Sequence, residues 1–317
     1  MAIRSASDIH GVYVALFTPL REDDPKRLRN SIDYDKAAKM IDDLVAVGVQ
    51  GIIPVGTTGQ SATVSHRQHL DFIKFAVEHV DGRVDVIAGA GSNCTRESIE
   101  MIEEVEKIAE VPVLCVTGYY NNPTQEGIRE HFRTLARETG AKIVMYNVPG
   151  RTASYIAPET VLELAEEPNV IGLKQAVNFK PGGDRRDDTL KIAEGTRGKD
   201  FALLTGEDDA IVDVMELGGR GVVTATGNIP EAAALMLKTV EACEKGDWQR
   251  GRELQRELEP FVKATFCCKN PIPMGLFFNS PLFQPMSDIR SCVLFANQKA
   301  QCQELIDTLA PSLRQYR

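Results

Sequence analysis

The chain of 317 residues has no apolar run near the roughly 20 residues that a membrane span requires, which argues against a helical membrane protein. Its start, MAIRSASDIHGVYVALF, lacks a long apolar segment ahead of a small-residue cleavage site, so no signal peptide is expected. Seven cysteines are scattered without a CxxC pair, and Cys267 beside Cys268 suits neither a routine disulfide nor a chelating pair. Reduced, structural thiols and a cytoplasmic location are the expectation. Positive charge is in deficit: 36 Lys and Arg against 45 Asp and Glu leave a formal net charge of −9. Such a surface repels nucleic acid and anionic membrane, so neither is an expected partner. What remains is ordinary globular composition, 43% hydrophobic and 26% charged, enough for a large core.

The organisation is a repeat of form. Short β-rich runs alternate with amphipathic stretches: GVYVALF (11–17), GIIPV (51–55), VDVIAG (84–89), VPVLCV (111–116), KIVMYN (142–147), VIGLK (170–174), FALLT (201–205) and GVVTA (221–225). Between them, YDKAAKMIDDLVAVG places Ala37, Met40, Ile41, Leu44 and Val45 on one helical face and ends in Gly48, a fitting C-cap. TRESIEMIEEVEKIAE repeats the pattern through Ile99, Ile102, Val105 and Ile108, with Thr95 expected as its N-cap. Eight near-continuous apolar strands, each followed by a helix, need both faces of a parallel sheet covered. The expected fold class is α/β, a (β/α)8 TIM barrel with a C-terminal helical appendage. An open doubly wound sheet would want a glycine-rich phosphate loop after its first strand, and FTPLRED is not one. Residues 1–228 read as the barrel core. Residues 229–317 read as the last barrel helix and a C-terminal helical region. Within it, PEAAALMLKTVEACEKG, DWQRGRELQRELEPFVKATF and residues 298–316 are expected helices, with Trp248 packing at a helix start.

In a barrel, chemistry collects at the C-terminal ends of the strands. Reading those ends gives GTTGQS, TGYYNNP, YNVPGRT, Lys174, TGEDD and TATGN. Lys174, Tyr146, Tyr120, Thr57, Thr58 and Arg151 are therefore expected at one rim. Lysine at an apolar strand end often only snorkels to water. In a closed, partly apolar site its ammonium loses solvation instead, and the neutral amine can attack a carbonyl to form a Schiff base. The imine stabilises an adjacent carbanion, which is aldolase-type chemistry and needs no metal or organic cofactor. A tyrosine beside the lysine, linked through a threonine hydroxyl, can relay the protons. The GTTG turn can offer backbone N–H groups to a carboxylate, and Arg151 a bidentate fork to a second one.

The segments VGTTGQSATVSH, GYYNNPTQEGIREHF, MYNVPGRT and IGLKQA resemble the 4-hydroxy-tetrahydrodipicolinate synthase (dihydrodipicolinate synthase) family of pyruvate-dependent class I aldolases. The resemblance runs from about Ile9 to Pro273. It implies condensation of pyruvate with aspartate-4-semialdehyde in lysine biosynthesis, usually in a homotetramer. It implies Lys174 as the Schiff-base lysine and Tyr146 as the centre of the proton relay. Thr57 then links Tyr146 to a Tyr120 reaching in from a neighbouring subunit. Thr58 contacts a carboxylate, Arg151 holds that of the aldehyde, and Gly206 and Val223 line the pyruvate pocket. It also implies a cleft for inhibitory L-lysine at Ala62, His66, His69, Asn93, Glu97 and Tyr119. Gln60, Gln175 and Gly118 stand where the family pattern has Glu, Glu and Pro. A sialic acid or keto-deoxy-sugar lyase would share Lys174, Tyr146 and GTTG but have no matching need for Arg151. A keto-acid sensor would not need the relay. A metal-dependent aldolase would want more than His66 and His69.

Overall fold

The computed structural model describes residues 3–23, 31–177, 179, 185–267, 269–282, 308 and 310–316. Nine strand segments form one parallel sheet: β1 (Gly11–Ala15), β2 (Gly51–Ile53), β3 (Asp85–Val86), β4 (Ala88–Gly89), β5 (Val113–Val116), β6 (Ile143–Asn147), β7 (Val170–Gln175), β8 (Ala202–Thr205) and β9 (Gly221–Thr224). Their order is β3-β2-β1-β9-β8-β7-β6-β5-β4. The two ends of that order are one stretch of chain, and its odd and even residues bond to opposite neighbours. Ile87 and Gly89 N–H donate to Ile52 and Pro54 at 3.1 and 3.0 Å, while Ala88 and Ala90 N–H donate to Pro112 and Leu114 at 2.8 and 3.1 Å. The sheet therefore closes into the expected barrel of eight staves.

Alternation along the staves sorts the apolar residues into two cores. Tyr13, Ile53, Ile87, Leu114, Val144, Tyr146, Leu204 and Val223 fill the barrel interior. Val12, Val14, Ile52, Val113, Met145, Leu203 and Val222 pack outward against the helices. The helices follow the 3.6-residue pattern. In α1 (Tyr34–Val47), Ala37, Met40, Ile41 and Leu44 are buried, and Gly48 caps it with φ 93°. Helix α2 spans His66–Val80, α3 Thr95–Ile108 and α4 Gln125–Glu138. Cys94, not Thr95, occupies the N-cap of α3, because the Thr95 hydroxyl is bonded to His131 Nδ1 at 2.9 Å on the neighbouring helix.

One irregularity sets which way Lys174 faces. Between β6 and β7 the register runs from Ile143↔Val170 to Val144↔Gly172, so Ile171 is an extra residue. A bulge of this kind flips the faces that follow it. Val170 packs outward and Ile171 inward, yet Leu173 again packs outward. Lys174 pairs with the inward Tyr146, and Gln175 with Asn147. Without the extra residue, Lys174 would share the outward face of Val170.

The shorter helices α5 (Pro149–Thr152) and α6 (Pro158–Leu164) follow β6, α7 (Arg186–Gly195) follows β7, and α8 (Ile211–Glu216) follows β8. Beyond β9, α9 (Pro230–Glu244) packs on β1, and α10 (Trp248–Thr265) packs on α9. The chain then folds back to the N-terminal side. Leu20 N–H donates to Ser280 Oγ at 2.8 Å, and Lys36 Nζ donates to the Phe278 carbonyl at 2.9 Å. Of the expected terminal helix at 298–316, residues 298–307 and 309 lie outside the described set. Pro311–Tyr316 is a 3-10 turn whose Tyr316 hydroxyl donates to Asp43 at 2.6 Å. Among the described residues no helix is long and apolar enough to cross a membrane.

Candidate active site

Lys174 ends β7 with 6% of its surface exposed, and its Nζ lies 4.3 Å from the centre of the Tyr146 ring. The amine thus rests against the ring face of Tyr146, the tyrosine expected beside it. The room for this side chain comes from Gly206, immediately after β8. A Cβ there would stand 2.9 Å from Lys174 Cε and 2.6 Å from Ala176 Cβ. Val223 of β9 is buried in the same interior layer as Tyr146. Tyr146, Thr57 and Arg151 share the wall of a cavity of about 380 Å³. The structure thus brings these expected residues to one end of the barrel.

The GTTGQ turn after β2 is held in an unusual backbone. Val55 has φ 54° and Gln60 φ 64°. For a β-branched valine this left-handed conformation is a strained outlier, costing about 1–3 kcal/mol. Its neighbour permits it, since a Cβ at Gly89 would lie 2.4 Å from the Val55 carbonyl oxygen. The far side of the turn is clamped twice: Thr18 Oγ1 donates to the Gly59 carbonyl at 2.8 Å, and Gln60 Nε2 donates to the Thr18 carbonyl at 2.9 Å. The second bond needs an N–H donor, which a carboxylate at this position lacks. The departure at Gln60 is therefore used by this chain.

Arg151 stands in the short helix α5 (Pro149–Thr152) that follows β6. Its Nη2 donates to the backbone carbonyl of Asn270 at 2.9 Å. The same Asn270 reaches Thr58 through its side chain, Nδ2 to Oγ1, at 2.9 Å. Asn270 was not among the residues expected from sequence. Neither was Asp208, in the TGEDD turn after β8, whose Oδ2 accepts from Thr226 N–H at 2.9 Å. Burial pushes the Asp208 carboxyl up, and hydrogen bonds from Thr226 and Thr224, together with the Lys174 charge, oppose that rise. Arg151, Asp208 and Asn270 line a second, wider cleft with Phe179, Arg185 and Phe266. Residues 178 and 180–184 of the expected extended loop lie outside the described set. Its far end is anchored where Arg185 stacks 3.9 Å from the Tyr155 ring and the Tyr155 hydroxyl donates to Asp188 at 2.7 Å.

Tyr120 does not join this chain's own cavity. It is 95% exposed and holds φ 73°. The second expected cluster is largely assembled: Ala62, His66, His69, Glu97 and Tyr119 line the same cavity as Tyr146. Asn93 instead supports the wall, donating Nδ2 to the Tyr119 carbonyl at 3.0 Å. His66 and His69 share one helix but not one environment. His66 is exposed and its Nε2 lies 3.0 Å from Glu97, which also accepts from Ser92 Oγ. His69 is buried, with Nε2 2.5 Å from the Gly89 carbonyl. Burial pushes the His69 ring down to about 4, against the raising effect of Gly89, with the His66 charge adding a little. The ring is neutral at pH 7, so Nε2 carries the proton and donates it.

Residues 8–282 match the dihydrodipicolinate synthetase family. A 4-hydroxy-tetrahydrodipicolinate synthase of Aromatoleum aromaticum is 41% identical over 266 residues, covering 84% of this chain and 86% of that one. One from Methanococcus maripaludis is 36% identical over 304 residues, covering 95% and 99%. Among solved structures, dihydrodipicolinate synthase from Cyanidioschyzon merolae with lysine bound superposes with a TM-score of 0.84 at 29% identity, covering 94% of this chain and 97% of that one.

Proposed function

The chain belongs to the dihydrodipicolinate synthetase family, and on that premise we propose that it condenses pyruvate with aspartate-4-semialdehyde to 4-hydroxy-tetrahydrodipicolinate. The observation that carries the reading is the buried Lys174 amine over Tyr146 at the C-terminal end of the barrel. The Lys174 amine, once deprotonated, attacks the pyruvate keto carbon, and loss of water leaves an imine. The imine nitrogen takes up the electron pair left when a methyl proton departs, giving an enamine. The enamine carbon adds to the aldehyde. The aldehyde substrate's own amine then displaces Lys174 from the imine carbon, which closes the ring and frees the lysine. Tyr146, with Thr57, handles the protons.

Two carboxylates need two anchors. In this reading the Gly56–Gly59 turn with the Thr58 hydroxyl takes that of pyruvate. Arg151 takes that of the aldehyde as a bidentate fork. Gly206 and Val223 shape the pyruvate pocket. A sugar aldehyde offers no carboxylate for Arg151, which favours the synthase over a sugar-acid lyase. Exposed Tyr120, held in the left-handed region, suits a homotetramer in which it completes the relay of a second copy. The cluster at Ala62, His66, His69, Asn93, Glu97 and Tyr119 suits free L-lysine as an effector, with Glu97 facing an ammonium group. The test of the central claim is borohydride trapping with pyruvate, followed by peptide mass analysis. The reduced adduct is expected on Lys174 and lost in Lys174→Ala. An adduct on another lysine, or none, refutes the assignment.

A further inference from the structure

Asn270 comes from the turn after α10, far in sequence from the barrel strands that carry the site. It is 5% exposed, and it touches two residues of that site at once. Its side-chain Nδ2 donates to Thr58 Oγ1 at 2.9 Å, and its backbone carbonyl accepts from Arg151 Nη2 at 2.9 Å. Its Oδ1 has no partner among the described residues.

A threonine hydroxyl has a single proton and two lone pairs. When Asn270 fills a lone pair of Thr58 Oγ1, the hydroxyl proton must point elsewhere. Were the partner an acceptor, the proton would be drawn to it, and Thr58 would present lone pairs to any bound anion. We propose that Asn270 is a positioning residue that sets the hydrogen-bond polarity of Thr58, keeping the Thr58 proton available to the carboxylate of the keto acid. The inference rests on the reading of Thr58 as a pyruvate anchor. The bond from Arg151 to the Asn270 carbonyl adds a second consequence. One residue of the C-terminal region registers the anchors of both substrates, so the two carboxylates are held at a fixed separation.

Asn270→Asp tests the idea because it keeps the shape and the contact but reverses the polarity. The aspartate accepts the Thr58 proton. Asn270→Ala removes the contact and leaves the Thr58 proton free to turn toward substrate. The readout is the pyruvate concentration that gives half-maximal borohydride trapping, with melting temperature measured alongside. A charge-assisted hydrogen bond lost from the keto acid raises that concentration about tenfold or more. The expected order is wild type, then Asn270→Ala, then Asn270→Asp with the weakest binding. A packing role predicts the reverse order of the two variants, since alanine leaves the cavity. In the Thr58→Val background the aspartate change is expected to add nothing, whereas simple charge repulsion would add its full effect. If Asn270→Asp does not fold, Asn270→Ala and Thr58→Val carry the test. Alanine must bind pyruvate better than Thr58→Val, and equal weakening overturns the proposal. Wild type that forms no adduct at Lys174 would refute the proposed function itself, whereas wild type that traps normally beside an unaffected Asn270→Asp refutes this inference alone.

Discussion

Gly206→Ala is the sharpest perturbation of the lysine that leaves the lysine in place. The added methyl would lie 2.6 Å from Ala176 Cβ, 2.9 Å from Lys174 Cε and 3.2 Å from Ala176 Cα. Carbon atoms in contact normally stand about 3.5–4.0 Å apart. Something must therefore retreat by about 1 Å. Ala176 follows β7 directly and its N–H is bonded to the Asn147 carbonyl at 2.9 Å, so it yields poorly. The backbone at 176 or 206 must shift to clear the shortest contact, and the Lys174 side chain, the softer neighbour, moves as well. Overpacking of this kind costs about 1–3 kcal/mol, which for a chain of 317 residues is a drop of roughly 1–5 °C in melting temperature. Misplacing a reacting atom by about 1 Å costs on the order of 100-fold in rate. The assay is the initial rate of pyruvate-dependent borohydride trapping, with a thermal melt on the same protein. The variant should melt somewhat early, remain folded at 25 °C and trap on the order of 100-fold more slowly. A variant that traps at the wild-type rate and half-saturates at the same pyruvate concentration would refute the argument that Gly206 makes the room for Lys174.

Acid should destabilise the fold through His69. Its ring is held near 4 rather than the ordinary 6.5, so the folded state resists a proton that the unfolded chain accepts. That contribution of about 3 kcal/mol is complete above pH 6.5 and is lost as the pH falls toward 4. Urea midpoints of wild type and His69→Gln from pH 7 to 4 check it, and an identical pH slope in both would rule His69 out as the cause. Free L-lysine, titrated from micromolar to millimolar, is expected to inhibit wild type and to act more weakly on Glu97→Ala. Rates indifferent to lysine would sink the effector reading, and equal inhibition of both proteins would move the site elsewhere.

The staves were legible because each is a short apolar run between helical patterns, and a strand buried on both faces needs nothing else. Lys174 stood out as a candidate because several strand ends converge on one rim with it, whereas a charge at the end of such a run alone reads as a side chain snorkelling to water. The mechanism that aims it was not legible. The extra residue at Ile171 is a matter of pairing between two strands, and strict alternation read from VIGLK alone would give the wrong face. Thr95 shows the same limit at a helix end, where a residue of the right type is engaged across a helix interface. His66 and His69 share one helix and have two fates, since what decides them is the Gly89 carbonyl of β4 and Glu97 of α3. Asn270 was invisible for a plainer reason. An asparagine before a proline reads as a turn, and its partners are brought to it only by the packing of the C-terminal region.

The seam between β1 and β9 joins Gly11 to Gly221, and a Cβ at Gly221 would lie 1.9 Å from the Gly11 carbonyl oxygen. The first stave therefore depends on the last one for half of its pairing. During synthesis at about 5–20 residues per second, β1 leaves the ribosome some 10–40 s before β9 exists. Through that interval its edge has no partner of its own, and edges of that kind recruit other chains. The interior cluster that holds Tyr146 is likewise incomplete until Val223 arrives. The glycine pair at the seam lets the last strand slide in against the first without a side chain in the way, so closure of the barrel and assembly of the lysine site are one late event in the birth of the molecule.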